Sequence, residues 1–293
     1  MKLNVSIIIP TRNEEIYIKE CLDAIFDQNT DLQFDVLVID SGSTDQTTRI
    51  VKSFSSVKLV SIKPEEFGHG KTRNTGARMT AGEYIVFLNA DAIPANKNWL
   101  TILIDSIKQD RSFAGVFSRH IPRKDCHLYM ERDIRCSMPA SRKVISRFNS
   151  RDSLLFSTVS CVMPRSIWQQ YPFDDHILIA EDQNWAKNIL DQGYRIVYQP
   201  ESMVTHSHNY SLKELYQIKV RVGQSLKAFR HRPLNIVLGL FLVTGGMILK
   251  FISDIFYIIS RKLPFKKRFK ELGVALGSRI VSFAGRYVGW MKS

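Results

Sequence analysis

Apolar runs and helical patterns alternate along the first two thirds of the chain. Residues 5–9, 36–40, 57–62 and 84–88 are short runs rich in Val and Ile, bounded by turn residues, and predict buried strands. The stretches between and after them, 14–28, 44–54, 71–80 and 98–108, carry apolar residues at helical spacing. Strands alternating with helices predict right-handed βαβ units and an α/β fold, Rossmann-like, with a mostly parallel central sheet flanked by helices. Such sheets bind ligands at the carboxyl ends of their strands. Residues 121–152, rich in Arg and Ser, break the rhythm and read as an insertion near the acceptor side of a site. From residue 154 the pattern resumes, with a strand over 158–163, a helix over 182–192 and a strand over 195–198.

Charge divides the chain. Its net +13 comes from 41 basic and 28 acidic residues, but residues 1–212 hold 25 of each, leaving 16 basic and 3 acidic to residues 213–293. The expected organisation is therefore a formally neutral domain over 1–212 and a basic, apolar, helical tail over 213–293. A tail both basic and apolar suits an anionic membrane surface, where each Lys or Arg contributes about 1 kcal/mol, and argues against nucleic acid as partner. Cys21, Cys126, Cys136 and Cys161 form no CxxC pair, which fits a reduced, cytosolic setting. The opening MKLNVSIIIP is too short an apolar run for a signal peptide and reads as the first strand.

The strand ends carry the chemistry. Pro10-Thr11-Arg12-Asn13-Glu14 follows the first strand, at the sheet's binding edge, although an ordinary turn with Asn13 as helix cap has the same composition. The second strand ends in Asp40-Ser41-Gly42-Ser43-Thr44-Asp45, where a carboxylate can accept the N3–H of a pyrimidine and Ser43 or Thr44 can cap the next helix. On these two segments the sequence resembles glycosyltransferase family 2 of the GT-A fold, whose first strand runs into Pro-x-x-Asn-Glu and whose second ends in Asp-x-Gly-Ser-x-Asp. The resemblance implies that Thr11, Glu14 and Asp40 contact a nucleoside.

Glu66-Phe67-Gly68-His69-Gly70-Lys71-Thr72-Arg73-Asn74-Thr75-Gly76-Ala77 brings glycines, Lys71 and Arg73 to a helix start, a combination suited to a diphosphate. It is similar to the His-Gly-x-Thr-Arg-Asn run of bacterial rhamnosyltransferase-like members, Asn74 included, which points to deoxythymidine-diphosphate rhamnose as donor. In Phe87-Leu88-Asn89-Ala90-Asp91-Ala92 the family places an Asp-x-Asp metal motif. Asp91 matches its second acid; Asn89 departs from the first, and is expected to contact the donor ribose or sugar. The resemblance thus implies a divalent metal, Mg2+ or Mn2+, with a histidine completing its shell. Thr205-His206-Ser207-His208 offers two, spaced to point the same way on extended backbone.

Ala180-Glu181-Asp182-Gln183-Asn184-Trp185 opens a helix and resembles the family's Glu-Asp motif at the acceptor site. Inverting transfer needs a base for the acceptor hydroxyl, and Asp182 is the candidate. Glu181 is expected to bind the acceptor; Trp185 either lines its pocket or packs. The expected function is inverting transfer, from a nucleotide diphosphate sugar, to a lipid-linked glycan of a cell-surface polysaccharide. A uridine-diphosphate hexose donor, or a non-catalytic sugar-nucleotide scaffold suggested by Asn89, are the rivals.

Residues 234–249 are uncharged, interrupted by Gly245-Gly246 and closed by Lys250, which is short of the roughly 18 to 20 residues of a spanning helix. Residues 261–270 alternate basic and aromatic side chains. Beyond them, Arg279 and Arg286 share a helix face, with Leu272, Leu276, Ile280 and Phe283 on an apolar side, a pattern for a helix lying in the interface. The expected location is the cytoplasmic face of the cell membrane, peripheral or by one tilted span over 234–260; a homo-oligomer contact through the tail is the alternative.

Overall fold

The computed structural model of the chain describes residues 4–148, 154–177, 179–229 and 236–292. These fall into two compact units, Met1–Ile121 with Ser137–His206, and Pro122–Cys136 with Ser207–Ser293. The polar stretch read as an insertion thus contributes residues 122–136 to the second unit.

The strands are β1 (Val5–Thr11), β2 (Phe34–Asp40), β3 (Val57–Ser61), β4 (Tyr84–Leu88), β5 (Ile93–Pro94), β6 (Phe113–Ile121), β7 (Lys143–Ile145), β8 (Ser160–Pro164) and β9 (Arg195–Thr205). They form one sheet in the first unit, ordered β3-β2-β1-β4-β8-β6-β9-β5, with β7 also on β9. β3, β2, β1 and β4 pair in parallel, β8 is antiparallel to both β4 and β6, and β9 is parallel to β6. Six strands therefore run the same way, and β5, β7 and β8 oppose them.

The helices are α1 (Ile18–Phe26), α2 (Thr47–Lys52), α3 (His69–Arg78), α4 (Trp99–Lys108), α5 (Leu128–Ser137), α6 (Arg165–Gln170), α7 (Glu181–Asp191), α8 (Leu212–Phe229), α9 (Ile236–Ile259) and α10 (Phe265–Lys292). Successive strand residues face opposite sides, and both sides are covered, which is why the strands are apolar throughout rather than alternating. Ile7, Ile9, Val38 and Val86 pack on Leu22 of α1 and Trp99 and Leu103 of α4. Ile8, Ile39, Ile85 and Phe87 pack on Ala77 of α3, Trp168 of α6 and Trp185 and Ile189 of α7.

Two local expectations change. α1 and α2 start three to four residues later than their periodicity predicts, at Ile18 and Thr47, and neither has a side-chain cap. Asn13, Ser43 and Thr44 instead join the two preceding loops: the Asn13 N–H donates to Ser43 Oγ and the Thr44 N–H to Asn13 Oδ1, both at 2.8 Å. β9 runs on to Thr205 despite Pro200, because the register with β6 shifts between Ser118 and Arg119 and leaves Pro200 in the irregularity, outside the ladder.

The second unit is helical. α10 packs on α8 through glycines: a Cβ at Gly289 would stand 2.0 Å from the Val220 carbonyl oxygen, so only glycine permits this approach. Arg279, expected to share with Arg286 one face of a helix lying in the interface, is 4% exposed and bound to Asp133 and Asp254. The apolar run over 234–249 begins outside the described residues. Among the described residues, no helix is long and apolar enough to cross a membrane.

Candidate active site

The topology gathers the site before any side chain is considered. Six strands end on one edge of the sheet: β1 at Thr11, β2 at Asp40, β4 just before Asn89, β6 at Ile121 and β9 just before His206 are among them. The antiparallel β8 begins on that edge, Ser160 facing Leu88, so Ser157 and Thr158 lie there too.

Thr11 and Asp40 are register partners, both buried. The Thr11 hydroxyl is buried and has no hydrogen-bond partner among the described residues. Asp40 is tied into its own loop. Its carboxylate accepts from the N–H groups of Gly42 and Ser43, each at 3.1 Å, and from the Ser43 hydroxyl, so its acceptor sites hold its own loop. Gly42 makes that turn with φ +84°, a left-handed conformation that favours glycine. The Glu14 N–H donates to Thr47 Oγ1 at 2.8 Å, tying the first loop to α2.

Arg73 is the hub. Buried in α3, it donates through Nη1 to Glu181 Oε1 at 2.9 Å and to the His69 carbonyl at 3.0 Å, and through Nη2 to Asn89 Oδ1 at 2.8 Å. One guanidinium therefore joins the end of β4 to the start of α7. Thr158 Oγ1 adds a bond to Glu181 at 3.3 Å. Arg73 is thus an internal counter-ion, Glu181 is held by it, and the Asn89 amide oxygen is engaged by it. Lys71 is exposed in the first turn of the same helix.

Asn74 is structural. Its amide donates to the Phe173 carbonyl and to Asp175 Oδ1, both at 2.7 Å, and accepts from the Trp168 indole at 2.9 Å and the Phe173 N–H at 3.2 Å. All its hydrogen-bonding capacity goes to α6 and the segment between α6 and α7. Asn74→Ala leaves several buried partners unsatisfied and is expected to cost roughly 2 to 4 kcal/mol in urea unfolding, with donor affinity unchanged; a loss of donor affinity without a loss of stability would reverse that assignment.

β5 pairs with β9 so that Ile93 faces Thr205, which brings the residues just outside the pair together. Asp91 is 5% exposed, and its Oδ2 lies 3.4 Å from His206 Nε2. One carboxylate and one imidazole side by side form a donor set that fits a divalent cation. The ring of His120, at the end of β6, stands 5.2 Å from that of His206, edge to face. Nothing in the motifs had pointed to His120. His208 belongs to the second unit.

Asp182 is half-buried in the first turn of α7. Burial, reinforced by the neighbouring Glu181 carboxylate and only partly offset by Arg73, raises its pKa from 3.8 to about 7. Trp185 takes the packing alternative: it is 2% exposed, its ring lies 4.8 Å from that of Phe156, and its N–H donates to the Tyr171 carbonyl.

Residues 6–182 match the model of the family described as Glycosyl transferase family 2. The chain belongs to glycosyltransferase family 2. Among its relatives is the O-antigen chain rhamnosyltransferase RfbN of Salmonella typhimurium, 30% identical over 73% of this chain and 70% of that protein. Another is the O-antigen chain rhamnosyltransferase WbaN of Salmonella anatum, 30% identical over 66% of this chain and 62% of that one. Among solved structures, the mannosyltransferase PcManGT of Pyrobaculum calidifontis, in complex with GDP-Man and Mn2+, shares the fold with a TM-score of 0.63 at 19% identity, over 100% of this chain and 89% of that one. The chain is thus a GT-A glycosyltransferase with rhamnosyltransferase relatives, and the rim described above is where this family's fold places its chemistry.

Proposed function

We propose that this glycosyltransferase moves L-rhamnose from deoxythymidine-diphosphate rhamnose, with inversion, to a hydroxyl of a lipid-linked glycan in cell-surface polysaccharide synthesis, working at the cytoplasmic face of the membrane. The observation that carries the reading is the Arg73 bridge, which ties the acidic start of α7 to the strand end that leads into Asp91. The rhamnosyltransferase relatives support the donor sugar.

In this reading the unpartnered Thr11 hydroxyl, with Glu14, takes the nucleoside, and Asp40 acts by holding the loop that forms the wall. Lys71 faces the diphosphate. Asp91 and His206 would hold Mg2+ or Mn2+, which when bound neutralises charge on the departing diphosphate. Asp182 takes the proton from the acceptor hydroxyl as that oxygen bonds to the anomeric carbon. The bond from that carbon to the diphosphate oxygen breaks on the opposite face, and the nucleoside diphosphate leaves with the electron pair. Arg73 keeps Glu181 paired, so that Asp182 is the carboxylate of the Glu-Asp pair left to bind and release a proton.

A donor panel tests this. Purified protein with a polyprenyl-diphosphate-linked acceptor is expected to use deoxythymidine-diphosphate rhamnose with a kcat/KM at least about tenfold above uridine-diphosphate glucose or guanosine-diphosphate mannose, and to lose transfer on chelation. Preference for the uridine donor would replace the sugar assignment. Donor binding without transfer to any acceptor would make the protein a scaffold.

A further inference from the structure

We propose that the second unit carries a lipid-docking face, formed by the outward side of α9 and the first turns of α10, that seats on an anionic bilayer. A helix on the surface of a globular unit normally turns its large apolar residues inward. These two helices do the reverse. In α9, Asp254 and Ile258 are fully buried, while Leu249, Ile252, Phe256 and Ile259, spaced three and four apart, form a stripe on the other side and are between 42% and 71% exposed. In α10 the buried side consists of Glu271, Ala275, Ser278, Arg279, Ser282, Gly285 and Gly289. Phe265 and Phe269, one turn apart with rings at 5.1 Å, are 72% and 63% exposed.

The interior is closed without those residues. Arg279 binds Asp254 at 2.7 Å and Asp133 at 2.6 Å, Arg132 binds Asp254 at 3.1 Å, and α8 meets α10 through glycine contacts. Besides a small apolar cluster of Tyr129, Ile258 and Ala275, the inside holds small residues and paired charges while large apolar groups stand outside, which is how helices pack where the surroundings are themselves apolar. Single exposed apolar side chains need no explanation, but a row continuing from one helix to the next does.

Charge selects the occupant. The segment Arg261-Lys262-Leu263-Pro264-Phe265-Lys266-Lys267-Arg268-Phe269-Lys270 contains no acid; Lys266 and Lys267 are exposed between the phenylalanines, and Lys262 and Lys270 are exposed on either side of them. Anionic lipid offers both complements at once, phosphates for the lysines and an acyl layer beneath them for the rings. A second copy of the chain would set the same positive strip against itself. The inference does not depend on which sugar is transferred.

The test uses the full chain with sedimenting vesicles of phosphatidylcholine, alone or mixed with phosphatidylglycerol. Binding is expected to favour the mixed vesicles by about tenfold or more and to weaken as salt rises. The double variant Phe256→Ser/Phe269→Ser should lose about tenfold or more in partitioning, with thermal unfolding and transfer to a soluble acceptor unchanged, since both rings are at the surface. Lys266→Gln/Lys267→Gln should reduce the preference for phosphatidylglycerol. Wild-type protein that stays in the supernatant, a phenylalanine variant that binds as tightly as wild type, or a dimer that this variant dissociates would each overturn the proposal. The transfer assay separates any of these outcomes from a failure of the enzymatic reading.

Discussion

Asp182→Asn is expected to lower kcat for sugar transfer by about a thousandfold while donor affinity is retained, because asparagine fills the same space but takes no proton. In the wild type the same group should set the pH profile. A base with a pKa of about 7 is mostly protonated below that value, so kcat/KM should rise with pH up to about 7 and level off above it. The substitution should also move stability the other way. Raising the carboxyl from 3.8 to about 7 on folding means that the folded chain binds the proton more tightly. Stability tied to this group is then present at low pH and is lost as pH climbs through the window between the two values. Asparagine escapes that loss. At pH 8 the variant should be more stable than wild type by up to about 4 kcal/mol in urea unfolding, with the two converging below pH 4. An inactive variant whose stability tracked wild type at every pH would mean that Asp182 is not held in the unfavourable environment described.

Arg73→Met should have the largest effect on the fold. The guanidinium is the counter-ion of a buried carboxylate and also holds Asn89 and the His69 carbonyl, so its removal leaves Glu181 charged and unpaired in the interior. Breaking a buried pair from one side costs about 3 to 5 kcal/mol. The double variant Arg73→Met/Glu181→Gln should recover part of the loss, because no charge is then stranded. Arg73→Lys should not, since an ammonium cannot reproduce contacts made by two nitrogens of a planar fork. Equal stability for the single and double variants in urea would show that the pair is not coupled as its 2.9 Å geometry implies.

The fold was legible where the physics is local. Buried strands read as continuous apolar runs, and Tyr84–Leu88 falls where its pattern predicts it. The sequence reading assigned no strand to Phe113–Ile121 and stopped β9 early, the latter because Pro200 looks like a terminator. Pairing across 80 residues decides both, and no local window contains it. His120 was missed for the same reason: it gains its meaning only when β6 and β9 lie side by side. The motifs fall together along the carboxyl rim of the sheet, but their local sequence does not tell which members pair within the protein. Arg73 and Asn74 stand next to each other in one motif, yet the first holds two loops by an ion pair and the second holds the segment after α6. Only partners distant in sequence distinguish such roles from direct binding. In the tail, periodicity located the final helix, while the burial of Arg279 could not be foreseen without Asp133 and Asp254.

Asp91 and His206, at the carboxyl rim of the sheet, are proposed as the cation site that serves a nucleoside diphosphate. Electron paramagnetic resonance of Mn2+ titrated into the protein with deoxythymidine diphosphate reads that site without requiring turnover. Mn2+ should bind wild-type protein and bind Asp91→Asn at least about tenfold more weakly, as loss of a carboxylate ligand dictates. Equal Mn2+ affinity in the two proteins would contradict the account.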